Sequence, residues 1–427
     1  MKTHKIAIMG FGTVGGGTYD ILTENREYIR STRGLDIEVK TILDRSSAPL
    51  DARGIDKSVF CSDVDALAAD SEISVVVETM GGVEPAKTFI TKMLSSGKSV
   101  VTANKELLAK HWHELEPVAR EHCAGLYFEA SCVGGVPIIR AINESFQGDK
   151  VKSIYGIING TTNYILSKMS AEGVGYAEAL AAAQSLGYAE ADPTSDVEGF
   201  DAAYKLSILA SLAFHTCVPY GNIYREGITS VTASDIKHAK ELGYAIKLLA
   251  IAKSGDDGVE ARVHPCLVPI DHALSSVSGA FNAVYLNGDF VGDLMFYGAG
   301  AGAHPTGSAI VSDIVKALGG KHTYTDFQNT GKLSPDTKLI GDFTSGYYIS
   351  LIVDDRPGVL SRISTMMGDL GISIKAATQG PDYEEKKGGA NVVFLTHRAK
   401  EHAVMQAIEK IGTLAAVRKI ESMIRVL

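Results

Sequence analysis

Basic residues are the minority in this 427-residue chain, with 41 Lys and Arg against 50 Asp and Glu and a formal charge of −9. A general nucleic-acid binder needs a basic surface to neutralise phosphates, so that role is excluded, local basic pockets aside. Long apolar runs are missing as well. No stretch approaches the ~18 apolar residues that a membrane span needs. Cysteines number only 5, at Cys61, Cys123, Cys132, Cys217 and Cys266, with no C-x-x-C pair. An odd count without that pair indicates neither a disulfide scaffold nor a zinc ribbon, and reduced thiols in a cytoplasmic protein fit better. The N-terminus reaches glycine at Gly10, too soon for a signal peptide. There is no repeat with a period of roughly 20–50 residues and no low-complexity tract. The expected setting is the cytoplasm, with no membrane and no nucleic-acid partner.

What is present is an ordinary globular mix, 45% apolar and 21% charged. At roughly 150 residues per domain, the length predicts two or three domains. In the first third, β-branched runs (Lys5–Met9, Ile37–Leu43, Val75–Val77, Lys98–Thr102, Leu126–Ala130) alternate with helical patterns over Gly16–Arg30, Pro85–Ser95 and Lys105–His122. Nearly uninterrupted apolar strands alternating with helices predict a parallel, doubly wound sheet of the Rossmann type. After about residue 135 the segments lengthen and mix, with strands at Val151–Asn159 and Ala261–Val268 and helices at Tyr176–Gly187 and Phe200–Phe214. The expected division is a dinucleotide-binding domain over 1–135, to which a helix near 303–320 returns. An α+β catalytic and dimerisation domain follows over 136–302, and a linker over 321–346. Residues 347–427 read as a ferredoxin-like βαββαβ unit, with Asp382–Gly389 an exposed hairpin loop.

Gly10-Phe11-Gly12-Thr13-Val14-Gly15 is a G-x-G-x-x-G that follows a strand and opens a helix. The first glycine permits the tight turn, the second lets the backbone approach a pyrophosphate, and the third lets strand and helix pack closely. A merely structural glycine turn is the competing reading, and Gly16 and Gly17 blur the match. The second strand ends in Asp44-Arg45. A carboxylate there suits the ribose of NAD and an arginine suits the 2′-phosphate of NADP; both are present, so the choice stays open, with NADP favoured. Lys105 ends Thr102-Ala-Asn-Lys105 beyond a predicted parallel strand, where ligands of such sheets lie.

The densest group of charges runs from Gly187 to Lys205 and includes Glu190, Asp192, Asp196, Glu198 and Asp201. Asp196 is expected to cap the following helix. Glu198, Asp201 and Lys205 are spaced to share one helix face. A lysine in an otherwise apolar helix is seldom buried unless it is paired or used, and Asp201 would orient its ammonium. An ordinary surface ion pair is the plainer alternative. Asn159-Gly160-Thr161-Thr-Asn163 could bind a ligand or only cap a helix, and Glu129 with the turn Cys132–Val136 could ligate a hard cation or be a simple glycine turn.

These motifs together resemble homoserine dehydrogenase, the monofunctional bacterial form with a C-terminal ACT domain, over essentially the whole chain. The Gly187–Lys205 signature is the specific part; Gly10–Gly15, Thr102–Lys105, Asn159–Asn163 and Gly298–Thr306 support it. The resemblance implies NAD- or NADP-dependent interconversion of L-homoserine and L-aspartate 4-semialdehyde, a branch point toward threonine, methionine and isoleucine. It makes Lys205 the acid/base group, Asp201 its partner, and Glu190 the ligand of the substrate amino group, with Asp196 and Thr161 supporting the site. Lys105 would lie between nicotinamide and substrate. Gly10, Phe11, Gly12, Thr13, Val14, Gly15, Gly160 and Gly302 would surround the cofactor, and Arg45 would meet its 2′-phosphate. A monovalent cation, Na+ or K+, would bind Glu129 and the carbonyls of Cys132, Gly134 and Val136. The ACT unit implies feedback by L-threonine, with Asp354 and Asp355 near an amino group, and a homodimer or homotetramer is expected. No kinase-like region precedes the first motif, so a single activity is expected. Rival readings are a phosphoglycerate-dehydrogenase-like enzyme, which lacks its His motif here, an aspartate-semialdehyde dehydrogenase using Cys132 as nucleophile, and a non-catalytic sensor.

Overall fold

The structure, a computed structural model, describes residues 2–320, 337–381 and 389–427. The expected linker lies outside the described residues over 321–336, as does the expected hairpin loop over 382–388.

Six strands, β1 (Thr3–Met9), β2 (Asp36–Leu43), β3 (Phe60–Cys61), β4 (Ile73–Glu78), β5 (Ser99–Thr102) and β6 (Leu126–Tyr127), form the first sheet. Its order is β3-β2-β1-β4-β5-β6 and every pairing is parallel. The direction of winding reverses between β1 and β4, so a crevice opens at their carboxyl ends. β6 is shorter than its apolar run predicts, because Glu129–Ser131 turns into a single 3-10 turn. The helix expected over Gly16–Arg30 is two helices, Thr13–Glu24 and Arg26–Arg33. They break at Asn25, whose φ of −97° and ψ of 13° leave helical geometry. The helix Ala303–Gly319 returns to this sheet and crosses Thr13–Glu24 at close range. A Cβ on Gly17 would lie 2.4 Å from the Ala303 carbonyl oxygen. The extra glycine of the turn thus serves helix packing.

The remaining strands are β7 (Val151–Ile157), β8 (Tyr224–Arg225), β9 (Tyr244–Gly255), β10 (Gly258–Pro269), β11 (Phe281–Gly288), β12 (Gly292–Ala299), β13 (Thr344–Asp354), β14 (Ile374–Pro381), β15 (Gly389–Thr396), β16 (Ala399–Lys400) and β17 (Val417–Val426). They form one 11-stranded sheet. The helix Phe200–Ala213 lies against β9 and β10, and every residue from Asp201 to Ala213 is buried. Burying its leucine and isoleucine side chains contributes roughly 1.5–3 kcal/mol each, which is what holds a helix carrying two charges in the core.

The C-terminal unit has the expected βαββαβ order, with helices Val359–Asp369 and Glu401–Gly412. It is not separate from the rest, however. β17 pairs in parallel with β10 through Cys266↔Arg425 and Leu267↔Val426, so both sheets are one. Asp354 is engaged by Arg418 at 2.9 Å and Asp355 by Gln379 at 3.0 Å. No helix among the described residues is long and apolar enough to cross a membrane.

Candidate active site

β1 delivers the chain into the glycine turn. Gly10 takes φ +89°, and a Cβ on Gly15 would stand 2.2 Å from the Gly10 carbonyl oxygen. Gly12 differs, since no atom comes within 4 Å of where its Cβ would be. It precedes Thr13 at the N-terminus of the helix Thr13–Glu24, whose first turn holds no acidic residue. The free main-chain N–H groups and helix dipole there favour an anion. Tightness at Gly10 and Gly15 with open space at Gly12 fits a dinucleotide pyrophosphate. Asp44 braces this turn, accepting from the Phe11 N–H at 2.7 Å and the Arg45 N–H at 2.6 Å. The Phe11 ring is buried edge-on against Tyr19, 5.6 Å between centroids, so only its main chain borders the turn. Val14 is half-buried, while Thr13 and Arg45 are exposed.

Across the crevice stand the charged groups. Asn104 caps the helix Lys105–Glu121, accepting from the Leu107 N–H at 3.1 Å, and so places Lys105 at the end of β5. The helix Phe200–Ala213 carries Asp201 in its first turn and Lys205 one turn on. The Lys205 ammonium donates to Asp201 Oδ2 at 2.6 Å and to the Ile158 carbonyl at 2.8 Å. Lys105 Nζ lies 3.3 Å from Asp201 Oδ1. Burial works against an ionised Asp201, but Lys205 and Lys105 together outweigh it and hold the carboxyl below its ordinary range. Asp201 in turn raises Lys105.

Asn159 ties this pair to a second carboxylate. Its Nδ2 donates to Asp201 Oδ2 at 2.9 Å and to Asp196 Oδ1 at 2.7 Å, while its Oδ1 caps the helix Gly160–Glu172. The cap expected of Asn159–Asn163 is formed by Asn159, and the amide nitrogen of the same side chain joins the two carboxylates. Burial, then the neighbouring charge of Asp201, pushes the Asp196 carboxyl up. Asp196 does not cap the Phe200 helix as expected. It sits in its own short turn, Thr194–Val197, and Gly199 at φ +79° interrupts the chain before Phe200. Glu198 falls in that break and accepts from Thr229 at 3.2 Å, so it does not share a helix face with Asp201 and Lys205.

Thr161 donates to the Tyr188 carbonyl at 2.6 Å and fixes the loop leading to Glu190. Glu190 is exposed, and its carboxylate has no protein partner among the described residues. Gly160 opens its helix with a would-be Cβ 2.7 Å from the Ala280 carbonyl oxygen, and Gly302, at φ +116°, precedes the returning helix.

Glu129 is 3% exposed and accepts the N–H groups of Ile139 and Arg140 at 2.9 and 2.8 Å. Beside it Val133 and Gly134 take left-handed φ of 58° and 51°, a tight turn between Cys132 and Val136. One buried carboxylate beside a turn with main-chain oxygens is a donor set for a hard cation. Among the described residues no group of three or more His, Cys, Asp or Glu gathers as a metal site. Cys132 is fully buried, its thiol pushed up to about 12 by burial, which is the opposite of an activated nucleophile. His304 is a surface side chain 3.8 Å from Asp20, away from the pair.

Two participants escape sequence reasoning. Asn159 is one of several small polar residues, and only the fold shows that it joins Asp196 to Asp201. Lys247 on β9 is 5% exposed and donates to Asn163 Oδ1 at 3.3 Å, fixing the far side of the same helix; its apolar neighbours are its only sequence signal.

A doubly wound parallel sheet with a glycine-lined anion turn, opposite a buried lysine–carboxylate pair, defines a nicotinamide-dependent oxidoreductase acting on a CH–OH group. The family model for homoserine dehydrogenase matches residues 137–315, that for its NAD-binding domain residues 10–129, and that for the ACT domain residues 347–413. The homoserine dehydrogenase of Pseudomonas aeruginosa is 41% identical over 424 residues, 98% of this chain and 97% of that one. That of Corynebacterium glutamicum is 40% identical over 429 residues, 98% and 95%. A crystal structure of a homoserine dehydrogenase from Thiobacillus denitrificans aligns with TM-score 0.93 at 39% identity, covering 100% of this chain and 99% of that one. A hyperthermophilic archaeal homoserine dehydrogenase in complex with NADPH aligns with TM-score 0.64 at 30% identity, covering 74% and 98%. The chain belongs to the homoserine dehydrogenase family.

Proposed function

We propose that this dehydrogenase oxidises L-homoserine to L-aspartate 4-semialdehyde and reverses the reaction, with Lys205 as its acid/base. The observation that carries this is the Asp201 carboxylate held between the ammonium groups of Lys205 and Lys105. The bound nicotinamide supplies or accepts the hydride at the substrate carbon. In reduction Lys205 stabilises the negative charge developing on the aldehyde oxygen and gives it a proton; in oxidation its amine takes the hydroxyl proton. Asp201 orients Lys205 and keeps Lys105 beside the reacting atoms. The carboxylate of Glu190, partnerless among the described residues, binds the substrate ammonium, Thr161 holds the loop on which it stands, and Asp196 supports the site through Asn159.

Gly10, Gly12 and Gly15 cradle the pyrophosphate, the main chain of Phe11, Thr13 and Val14 borders it, and Gly160 and Gly302 flank the nicotinamide half. NADP is the preferred cofactor. Asp44 is occupied by two N–H groups, which leaves the exposed Arg45 to meet the 2′-phosphate. The NADPH bound by the archaeal relative supports this reading. A sodium or potassium ion would be held by Glu129 and the carbonyls of Cys132, Gly134 and Val136, steadying the turn. Residues 1–135 with the returning helix form the cofactor domain, 136–302 the catalytic and dimerising domain and 347–427 the ACT domain, whose first strand reaches back to Thr344, into the stretch 321–346 expected as linker. The enzyme acts in the cytoplasm as a homodimer or homotetramer, and L-threonine inhibits it through the ACT domain.

Homoserine oxidation followed as NADH or NADPH absorbance tests the reading. NADP giving the higher kcat/KM, with turnover lost in Lys205→Ala, is the expected result. Turnover retained in that variant overturns the role of the lysine. Threonine at millimolar concentration leaving the rate unchanged overturns the regulation.

A further inference from the structure

Arg425 is 1% exposed, on β17 of the C-terminal unit. Its guanidinium holds both oxygens of Glu401, at 3.1 and 2.5 Å. It also reaches out of its own unit, to Glu226 Oε2 at 2.6 Å and to the Tyr224 hydroxyl at 2.7 Å. A charge this deep persists only when paired and hydrogen-bonded. The rigid fork of the guanidinium therefore fixes where residues 224–226 lie.

The same short segment grips the catalytic helix from its other side. Arg225 donates to the Glu198 carbonyl and stands 3.4 Å from the centre of the Phe200 ring. The Ile228 N–H donates to the Val197 carbonyl at 2.8 Å. A Cβ on Gly227 would lie 2.3 Å from that oxygen, so the contact is close-packed. Residues 197–200 are the break between the turn bearing Asp196 and the helix bearing Asp201 and Lys205.

We infer that Arg425 is a positioning residue for the reaction, acting through the strap 224–229 on the break at 197–200 and so on the placement of Asp201 between the two lysines. The C-terminal unit thereby holds the reacting groups mechanically, with no contact to substrate. The Lys105–Asp201 approach, at 3.3 Å the longer of the two, is the one a shift of the helix opens first. Displacements of about 1 Å at reacting groups cost roughly a hundredfold in rate.

The inference rests on Asp201 and Lys205 as the reacting pair, and its test separates the two. A Tyr224→Phe, Glu226→Ala variant removes both hydrogen-bonding groups of the strap that Arg425 holds, an Arg225→Met variant weakens the grip of the strap on the break, and all three positions are at least partly exposed, so the fold tolerates the changes. Each lowers kcat for homoserine oxidation about tenfold, with NADPH affinity unchanged by fluorescence titration. Because both changes act on one route, combining them costs less than the product of their separate effects. If the combined variant does not fold by thermal melting, the milder Arg225→Lys replaces Arg225→Met and gives the same comparison. An unchanged kcat in the Tyr224→Phe, Glu226→Ala variant, or effects that multiply when it is combined with Arg225→Met, overturns the inference. Turnover retained in Lys205→Ala is a different failure, showing in that variant alone and removing the pair itself.

Discussion

Lys105 and Asp201 meet at 3.3 Å across the crevice, one from the end of a cofactor-sheet strand and the other from the buried catalytic helix. Asp201 is thus shared: one oxygen faces Lys105, the other takes Lys205 at 2.6 Å. Asp201 therefore links a lysine of the cofactor sheet to its own neighbour on the buried helix.

Removing the Lys205 amine leaves Asp201 with one ammonium fewer and no group to move the hydroxyl proton. Lys205→Ala should lose about 10²–10⁴ in kcat. Affinity for NADPH should stay within a factor of about two, since the glycine turn is untouched. Lys205→Arg should not restore the rate, because guanidinium does not release its proton. Steady-state kinetics and a cofactor titration check this; a weakened cofactor with normal kcat would contradict it.

Gly12 and Gly15 should respond oppositely to alanine. At Gly12 the φ of −79° is allowed and no atom is near, so Gly12→Ala should keep its melting temperature and bind NADPH at least tenfold more weakly. At Gly15 the new methyl strikes the Gly10 carbonyl, so Gly15→Ala should melt several degrees lower, a cost of about 1–3 kcal/mol. Equal behaviour of the two variants would refute the division between cofactor space and packing.

Burial lowers Lys247 to about 8. Its value in the unfolded chain is near ~10.4. Between those values the unfolded state binds more protons than the folded one, so this lysine makes stability rise with pH across the window and imposes a constant cost below it. Relative to Lys247→Met, the wild type should gain about 1.4 kcal/mol per pH unit from pH ~8 to ~10 in urea unfolding. A difference independent of pH across that window would show that Lys247 keeps its proton in the folded protein and that burial does not lower it.

Cys132 and Cys123 should differ in reactivity. Cys132 is buried with its thiol raised to about 12, whereas Cys123 is exposed. Iodoacetamide on the native enzyme should label Cys123 with activity retained. Rapid labelling of Cys132, read by peptide mass, would reopen the reading of that residue as a nucleophile.

The glycine turn, the parallel sheet and the Asp201–Lys205 pair were legible because each is a local pattern whose spacing matches the geometry it needs. The role of Asp196 was not, because Gly199 takes a left-handed conformation that separates it from the helix, and spacing alone reads through such a break. The length of β6 was overread for a similar reason: apolar residues continue into a 3-10 turn. The merging of the C-terminal unit into the central sheet was invisible. It depends on two register pairs between β10 and β17 that lie far apart along the chain.

That junction bears on how the regulatory portion can be dissected. Cutting the gene after the linker would strip β17 from β10, leaving the backbone groups beside Cys266 and Leu267 as a raw sheet edge. Glu226 would lose its arginine in the same stroke. Such a truncated enzyme reports structural damage, not the effect of losing a ligand site. Point changes on the outer face of the C-terminal unit, with the seam left whole, separate any ligand response of that unit from its structural part.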